Sequence, residues 1–318
     1  MWFGGKVLQD IPVNHYQETC VTVTWLKLTG QLLRLTGKAK YADEYEKTYY
    51  NALLGAMSAD GAVWAKYTPL NGGRLPGSEQ CGMGINCCEA SGPRGLFNVP
   101  LQIVMGRKEG LQVNYFAAGE YSLKSPQGQQ VTVGQQTDYP QSGVVNMAVT
   151  LSQPEEMEIN IRIPEWSKIN SLTVNGDSIK SLQPGEYAKV KRVWKSRHKI
   201  TLELDLRGRI AASGTNRHSV AILRGPIVLA RDSRFEGDAI ERIIEPLADK
   251  PGYIELTRVE NGAEEVNMLF KAKFIPENYT ENGAAPVSIL LCDYASAGKG
   301  KQYSYFKVWL PQVVNPSL

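Results

Sequence analysis

The sequence predicts an α+β multidomain protein, with a helical amino-terminal portion followed by two β units. Up to about residue 108 the apolar residues recur every three or four positions, and beyond it they alternate strictly. The chain has 318 residues of which 42% are hydrophobic, enough to build more than one core. The predicted division is a helical part at 1–108, a β-sandwich at 109–235 and a second β unit at 236–318.

From Cys20 to Leu35 the residues Val21, Trp25, Leu28, Leu32 and Leu35 fall at spacings of four and three, which predicts a helix with that face buried. Gly37 is placed to end it, since glycine tolerates the left-handed conformation of a helix terminus. Tyr41, Tyr45, Tyr49, Leu53 and Ala56 predict a second helix closed by Asp60-Gly61, and the two form an αα-hairpin. A third helix is expected over 93–105, with Pro93 in its first turn, where the missing amide hydrogen does no harm. After that come alternating runs at Leu111, Val113 and Tyr115, at Val145 to Leu151, at Met157 to Ile163 and at Ile200 to Leu206. Asn175-Gly176 is a hairpin-turn pair between two of them. Val287 to Leu291 and Tyr305 to Leu310 are the strand-like runs of the last unit.

The 35 basic residues nearly balance 32 acidic ones, and no basic run is interleaved with aromatics, so nothing marks a nucleic-acid surface. No stretch approaches the roughly 20 apolar residues of a membrane span, and none is laid out as a secretory signal. The expected partner is a neutral small molecule or polymer. Cellular location is not legible. The opening Met1-Trp2-Phe3-Gly4-Gly5 runs with little preamble into a formed motif, the way a fragment begins.

Five cysteines, Cys20, Cys81, Cys87, Cys88 and Cys292, form an odd, unevenly spaced set, unlike a secreted disulfide framework. Glu18-Thr19-Cys20 and Asn86-Cys87-Cys88-Glu89 carry the chemistry. In an extended segment, positions i and i+2 face the same side, so Glu18 and Cys20 can present an oxygen and a sulfur together. Cys87 and Cys88 can add two sulfurs, and such a donor set suits tetrahedral zinc. A lone Glu-x-Cys is an accident far more often than a site, and free cysteine is among the most buried residue types. The adjacent pair is harder to dismiss, because neighbouring cysteines bridge each other only with strain. On spacing alone a metal site and a set of buried thiols both remain open.

Tyr16-Gln17-Glu18-Thr19-Cys20 before a tryptophan-bearing helix, then Cys87-Cys88 with Arg94 downstream, resembles glycoside hydrolase family 127, the β-L-arabinofuranosidase-like enzymes. Further landmarks follow in order: Thr137-Asp138-Tyr139-Pro140, Arg162-Ile163-Pro164-Glu165-Trp166, Val174-Asn175-Gly176, Gly185-Glu186-Tyr187, Arg192-Val193-Trp194 and Arg224-Gly225-Pro226. Cys292-Asp293-Tyr294 and Val308-Trp309-Leu310 resemble the family's tail.

The resemblance implies part of an (α/α)6 toroid followed by β-sandwich domains, the carboxy-terminal portion of such an enzyme. It also implies a retaining glycosidase that releases non-reducing terminal β-L-arabinofuranose, or a related pentose, from a glycan. Zinc would be held by Glu18, Cys20, Cys87 and Cys88, with Cys87 as nucleophile. Tyr67 in Tyr67-Thr68-Pro69-Leu70 resembles a tyrosine near the sugar, and His15 is a second candidate for substrate binding; each is otherwise a packing residue. Cys81 is placed beside the cluster, Cys292 in a strand core, and His198 and His218 away from the chemistry.

One feature departs from the family. Its general acid/base is a glutamate upstream of Glu-x-Cys, whereas no glutamate precedes Glu18 and the only earlier carboxylate is Asp10. Either that glutamate lies just before Met1 in a longer natural protein, or the chain is a non-catalytic, zinc-stabilised carbohydrate-binding or structural fragment. A partial toroid would leave apolar helix faces open, which predicts self-association or marginal stability in the isolated chain.

Overall fold

The protein is described from a computed structural model covering residues 17–75, 86–212, 219–260, 266–276, 285–300 and 303–312. The fold is mixed, with many strands and few helices. It divides into two compact units, one of Met1–Thr24, Thr48–Gly95 and Arg207–Leu318, the other of Trp25–Lys47 and Leu96–Leu206. No described helix is long and apolar enough to cross a membrane.

The first predicted helix forms over Thr19–Thr36 and stops at Gly37, whose φ of 64° lets its amide reach back to the Leu33 carbonyl. Its buried face differs from the predicted one. Val23, Leu26, Thr29 and Leu33 are each 1% exposed, whereas Trp25 is 45%, Leu28 48% and Leu35 80% exposed. The helix is apolar on two sides, and a count of three-and-four spacings cannot say which side is covered. The second helix, Ala39–Thr48, runs into a π-helical turn at Tyr49–Leu53 and one more α-turn at Leu54–Ala56, short of the Asp60-Gly61 turn. The third begins at Cys87, earlier than predicted, so Pro93 lies inside Cys87–Phe97, while Pro100 takes the N-terminal position of the short helix Pro100–Ile103. Asn86 supplies the start signal that a proline-based reading passed over.

In the unit containing Leu96–Leu206, the alternating runs form a four-stranded and a six-stranded sheet. Val144–Leu151 buries every second residue, and the Asn175-Gly176 turn adopts φ of 54° and 91° as predicted. Strand Glu155–Ile163 is buried on both faces over its second half. Met157, Ile159, Ile161 and Ile163 form its apolar row, and Arg162 on the other face meets Asp43 and Glu46 of the helix Ala39–Thr48. Tyr139 donates to the same Glu46 carboxylate at 2.8 Å.

The other unit is built on an eleven-stranded sheet with a core on each face. Ile222, Leu229, Phe270, Phe274 and Leu291 lie in one, and Ala230, Leu269, Cys292, Tyr294 and Phe306 in the other. Cys292 is fully buried, as expected of a core residue. Arg74 ties the loops of this unit together by donating to the carbonyls of Gly55, Tyr294 and Ala297.

Candidate metal centre

Two short segments set up the site, and both are held by backbone. Gln17 has φ 61°, and the turn it makes brings Glu18 into an antiparallel bridge with Tyr67. The Thr19 amide donates to Lys66 O at 2.9 Å and its hydroxyl to Ala65 O at 2.8 Å, so the Thr19 side chain points away from those of Glu18 and Cys20. Cys20 follows in the first turn of the helix. On the second segment the Asn86 side chain accepts the Cys88 amide at 3.0 Å, capping the helix, and donates to Trp64 O at 3.1 Å. Capping presents two consecutive sulfurs at a helix N-terminus, where the dipole favours negative charge.

The ligand atoms of Glu18, Cys20, Cys87 and Cys88 all lie within 4.8 Å of one another. Cys20 Sγ is 3.2 Å from Cys87 Sγ and 3.5 Å from Cys88 Sγ, and Cys87 Sγ is 3.9 Å from Glu18 Oε1. Zinc–sulfur arms of about 2.3 Å at tetrahedral angles give sulfur–sulfur edges of about 3.8 Å. The cluster would open by only about half an ångström to hold such an ion.

Electrostatics point the same way. The neighbouring Cys20 sulfur, together with burial, raises the Cys87 thiol above its ordinary range, and burial does the same to Cys88 more strongly. Three thiolates and a carboxylate crowd together only if a cation neutralises them. The donor set therefore fits a borderline-soft divalent ion such as zinc. The three sulfurs also differ in access, with Cys88 buried, Cys20 half-buried and Cys87 exposed.

Tyr67 is buried beside Glu18, with the Lys66 ammonium 5.4 Å from its ring centre. His15, Asp10, Cys81 and His218 lie outside the described residues. His198 opens the strand His198–Glu203 and packs on Trp194. Sequence reasoning passed over Ser91, whose hydroxyl lies 3.4 Å from Cys20 Sγ and accepts from Arg94 at 3.1 Å. Its signal was spacing, since Ser91 stands one turn beyond Cys87 and Cys88.

Residues 8–100 match the model of the GH127 β-L-arabinofuranosidase catalytic domain, and residues 110–206 that of the GH127 middle domain. The non-reducing end beta-L-arabinofuranosidase of Bifidobacterium longum subsp. longum is 30% identical over 241 residues, covering 69% of this chain and 36% of that protein. A solved structure described as a glycoside hydrolase superposes with TM-score 0.79 at 24% identity, covering 93% of this chain and 52% of its own. The structure of a GH127 beta-L-arabinofuranosidase from Geobacillus stearothermophilus T6 gives 0.77 at 21%, covering 96% and 51%. The chain thus spans about half the length of these solved relatives and 36% of the curated one. Two adjoining domain models, this relative and the shared fold agree, and the chain belongs to glycoside hydrolase family 127.

Proposed function

We propose that the protein is a retaining glycosidase that releases non-reducing terminal β-L-arabinofuranose, or a related pentose, from a glycan, with Cys87 as nucleophile. The observation that carries this reading is the gathering of Glu18, Cys20, Cys87 and Cys88 around one ion-sized centre, in a chain whose matched domain is catalytic. Zinc, when bound, would keep the sulfurs deprotonated at neutral pH.

Cys87 is assigned the attack because its sulfur is the exposed one. Its lone pair forms a bond to the anomeric carbon as the glycosidic carbon–oxygen bond breaks, and the departing oxygen takes a proton from a general acid. Water then attacks the same carbon, the sulfur leaves, and the water's proton passes to the conjugate base. Cys20 and Cys88 hold position, Glu18 completes the donor set, and Tyr67 and His15 are assigned to the sugar. No residue of this chain is assigned the role of proton donor.

The same reading makes the helical portion part of an (α/α)6 toroid. The exposed row of Trp25, Leu28 and Leu35 supports it as a face prepared for neighbouring helices. That row also predicts self-association of the isolated chain, and light scattering showing a stable monomer would count against it. Of the division at 1–108, 109–235 and 236–318, the first boundary is supported by the matched domains ending at residue 100 and beginning at residue 110, whereas the second falls nearer residue 206, where the middle-domain match ends and the strands of the eleven-stranded sheet begin.

The rival reading is a non-catalytic carbohydrate-binding or structural fragment in which the metal only clamps the fold. Incubation with a reactive β-L-arabinofuranosyl analogue followed by peptide mass spectrometry separates the two. The glycosidase reading expects a sugar adduct on Cys87 that Cys87→Ser abolishes. A protein that cleaves an aryl β-L-arabinofuranoside yet carries no adduct on Cys87 contradicts the nucleophile. A zinc-loaded chain that neither cleaves nor is labelled supports the clamp.

A further inference from the structure

The four-donor cluster leaves unexplained why one cysteine should react while another only binds. Ser91 addresses this. It is buried on the helix Cys87–Phe97, with its oxygen 3.4 Å from Cys20 Sγ and 3.1 Å from Arg94 Nη2. A guanidinium only donates hydrogen bonds, so Arg94 occupies a lone pair of the Ser91 oxygen and leaves its hydrogen to point elsewhere. A thiol at Cys20 can donate to Ser91, but a sulfur serving as a metal ligand carries no proton, and the hydrogen bond must then run from Ser91 to the sulfur.

We propose that Ser91, oriented by Arg94, is a positioning residue that donates a hydrogen bond to Cys20 Sγ and thereby fixes Cys20 as the permanent metal ligand, leaving Cys87 as the sulfur free to react. This rests on the metal-centre reading above. Cys87 Sγ meets the other donors of the cluster instead, Cys20 Sγ at 3.2 Å, Glu18 Oε1 at 3.9 Å and the neighbouring Cys88 thiol. A hydrogen bond draws electron density from the sulfur that accepts it and lowers its nucleophilicity, so an asymmetric set of donors makes an asymmetric set of thiolates. Cys88 is excluded from attack by burial. The competing arrangement turns the Ser91 hydroxyl to its own helix backbone, as serines in helices do, and gives Cys20 no such bond.

The test compares the wild-type chain with Ser91→Ala, Ser91→Thr and Arg94→Met, all loaded with zinc or cobalt(II). Zinc affinity is measured by competition with a chromophoric chelator, the thiolate-to-cobalt absorption is recorded, and limited iodoacetamide labelling of Cys20 and Cys87 is compared by peptide mass spectrometry. Ser91→Ala should still bind one ion but with affinity lowered roughly 10–100-fold. Its cobalt band should shift and its labelling move from Cys87 toward Cys20, while Ser91→Thr restores all three readouts. Arg94→Met should act in the same direction, and it carries the test if Ser91→Ala does not fold. Wild-type affinity, band and labelling ratio in both Ser91→Ala and Arg94→Met overturn the inference and leave the metal centre standing. A wild-type chain that takes up neither ion overturns the metal centre, and this inference with it.

Discussion

Replacing Gly92 by alanine should weaken both the fold and the metal centre, although alanine is the better helix former. A Cβ on Gly92 would lie 2.1 Å from Trp64 Cε3 and 2.2 Å from Cδ2. Carbon pairs rest at about 3.5–4.0 Å, so the indole must retreat by about 1.5 Å. Trp64 is only 3% exposed and has little room to move. Overpacking of this kind costs about 1–3 kcal/mol, here toward the upper end, against about 1 kcal/mol returned by helix propensity. The net loss is about 1–2 kcal/mol. The damage is aimed at the site, because Trp64 O holds the Asn86 side chain that caps Cys88. Urea denaturation of three helical Gly→Ala variants checks the reasoning. Gly30, whose Cβ would lie 3.3 Å from Tyr45 Cε2, should be near neutral. Gly95, at 2.8 Å from Val23 Cγ2, should lose a little, and Gly92 should lose most, with weaker zinc binding as well. A Gly92→Ala protein as stable as wild type with unchanged zinc affinity would refute the argument.

Three further outcomes follow from the structure. Arg162→Met should cost about 3–5 kcal/mol at pH 7, because it strands the buried carboxylates of Asp43 and Glu46. Burial already raises the Asp43 pKa despite Arg162; without the cation Asp43 would hold its proton still more tightly in the folded state. The deficit should therefore shrink below about pH 4 and be complete by neutrality, and a pH-independent deficit in urea titrations would contradict it. Lys299 donates to Leu54 O at 2.6 Å, and loss of water pushes its pKa down to about 6, with Arg74 adding repulsion and Asp293 opposing. The folded state then binds fewer protons than the unfolded one from about pH 6 to about pH 10, so stability rises with pH across that window and this contribution is lost progressively as pH falls from about 10 to about 6. Lys299→Met should be flatter across that window than wild type, and parallel pH profiles would show that Lys299 titrates normally. Finally, under zinc-free reducing conditions the exposed Cys87 should react with iodoacetamide before Cys88, and the reverse order would contradict the burial pattern.

The chemistry-bearing residues were more legible in the sequence than the packing around them. Glu18-x-Cys20 and the vicinal pair stood out because their residue types are rare together, and their donor atoms come within 4.8 Å of one another. Period-two strands such as Val144–Leu151 were legible because one face is dry and the other wet. The helix Thr19–Thr36 was found, but not its buried side, since Trp25, Leu28 and Leu35 are as apolar as Val23, Leu26 and Leu33. The helix Cys87–Phe97 was dated from its proline, although the cap at Asn86 decides where it starts. Ser91 was silent because a serine gains meaning only from what lies across from it, and Cys20 is 71 positions away in sequence.

The most direct test of the central claim is elemental analysis of the purified, reduced chain, with Cys87→Ser and Glu18→Ala alongside. Near-stoichiometric zinc in the wild type, lowered in both variants, is the expected result. A reduced wild-type chain without zinc, after exposure to excess metal and desalting, would contradict the metal centre and leave the family membership as a statement about fold.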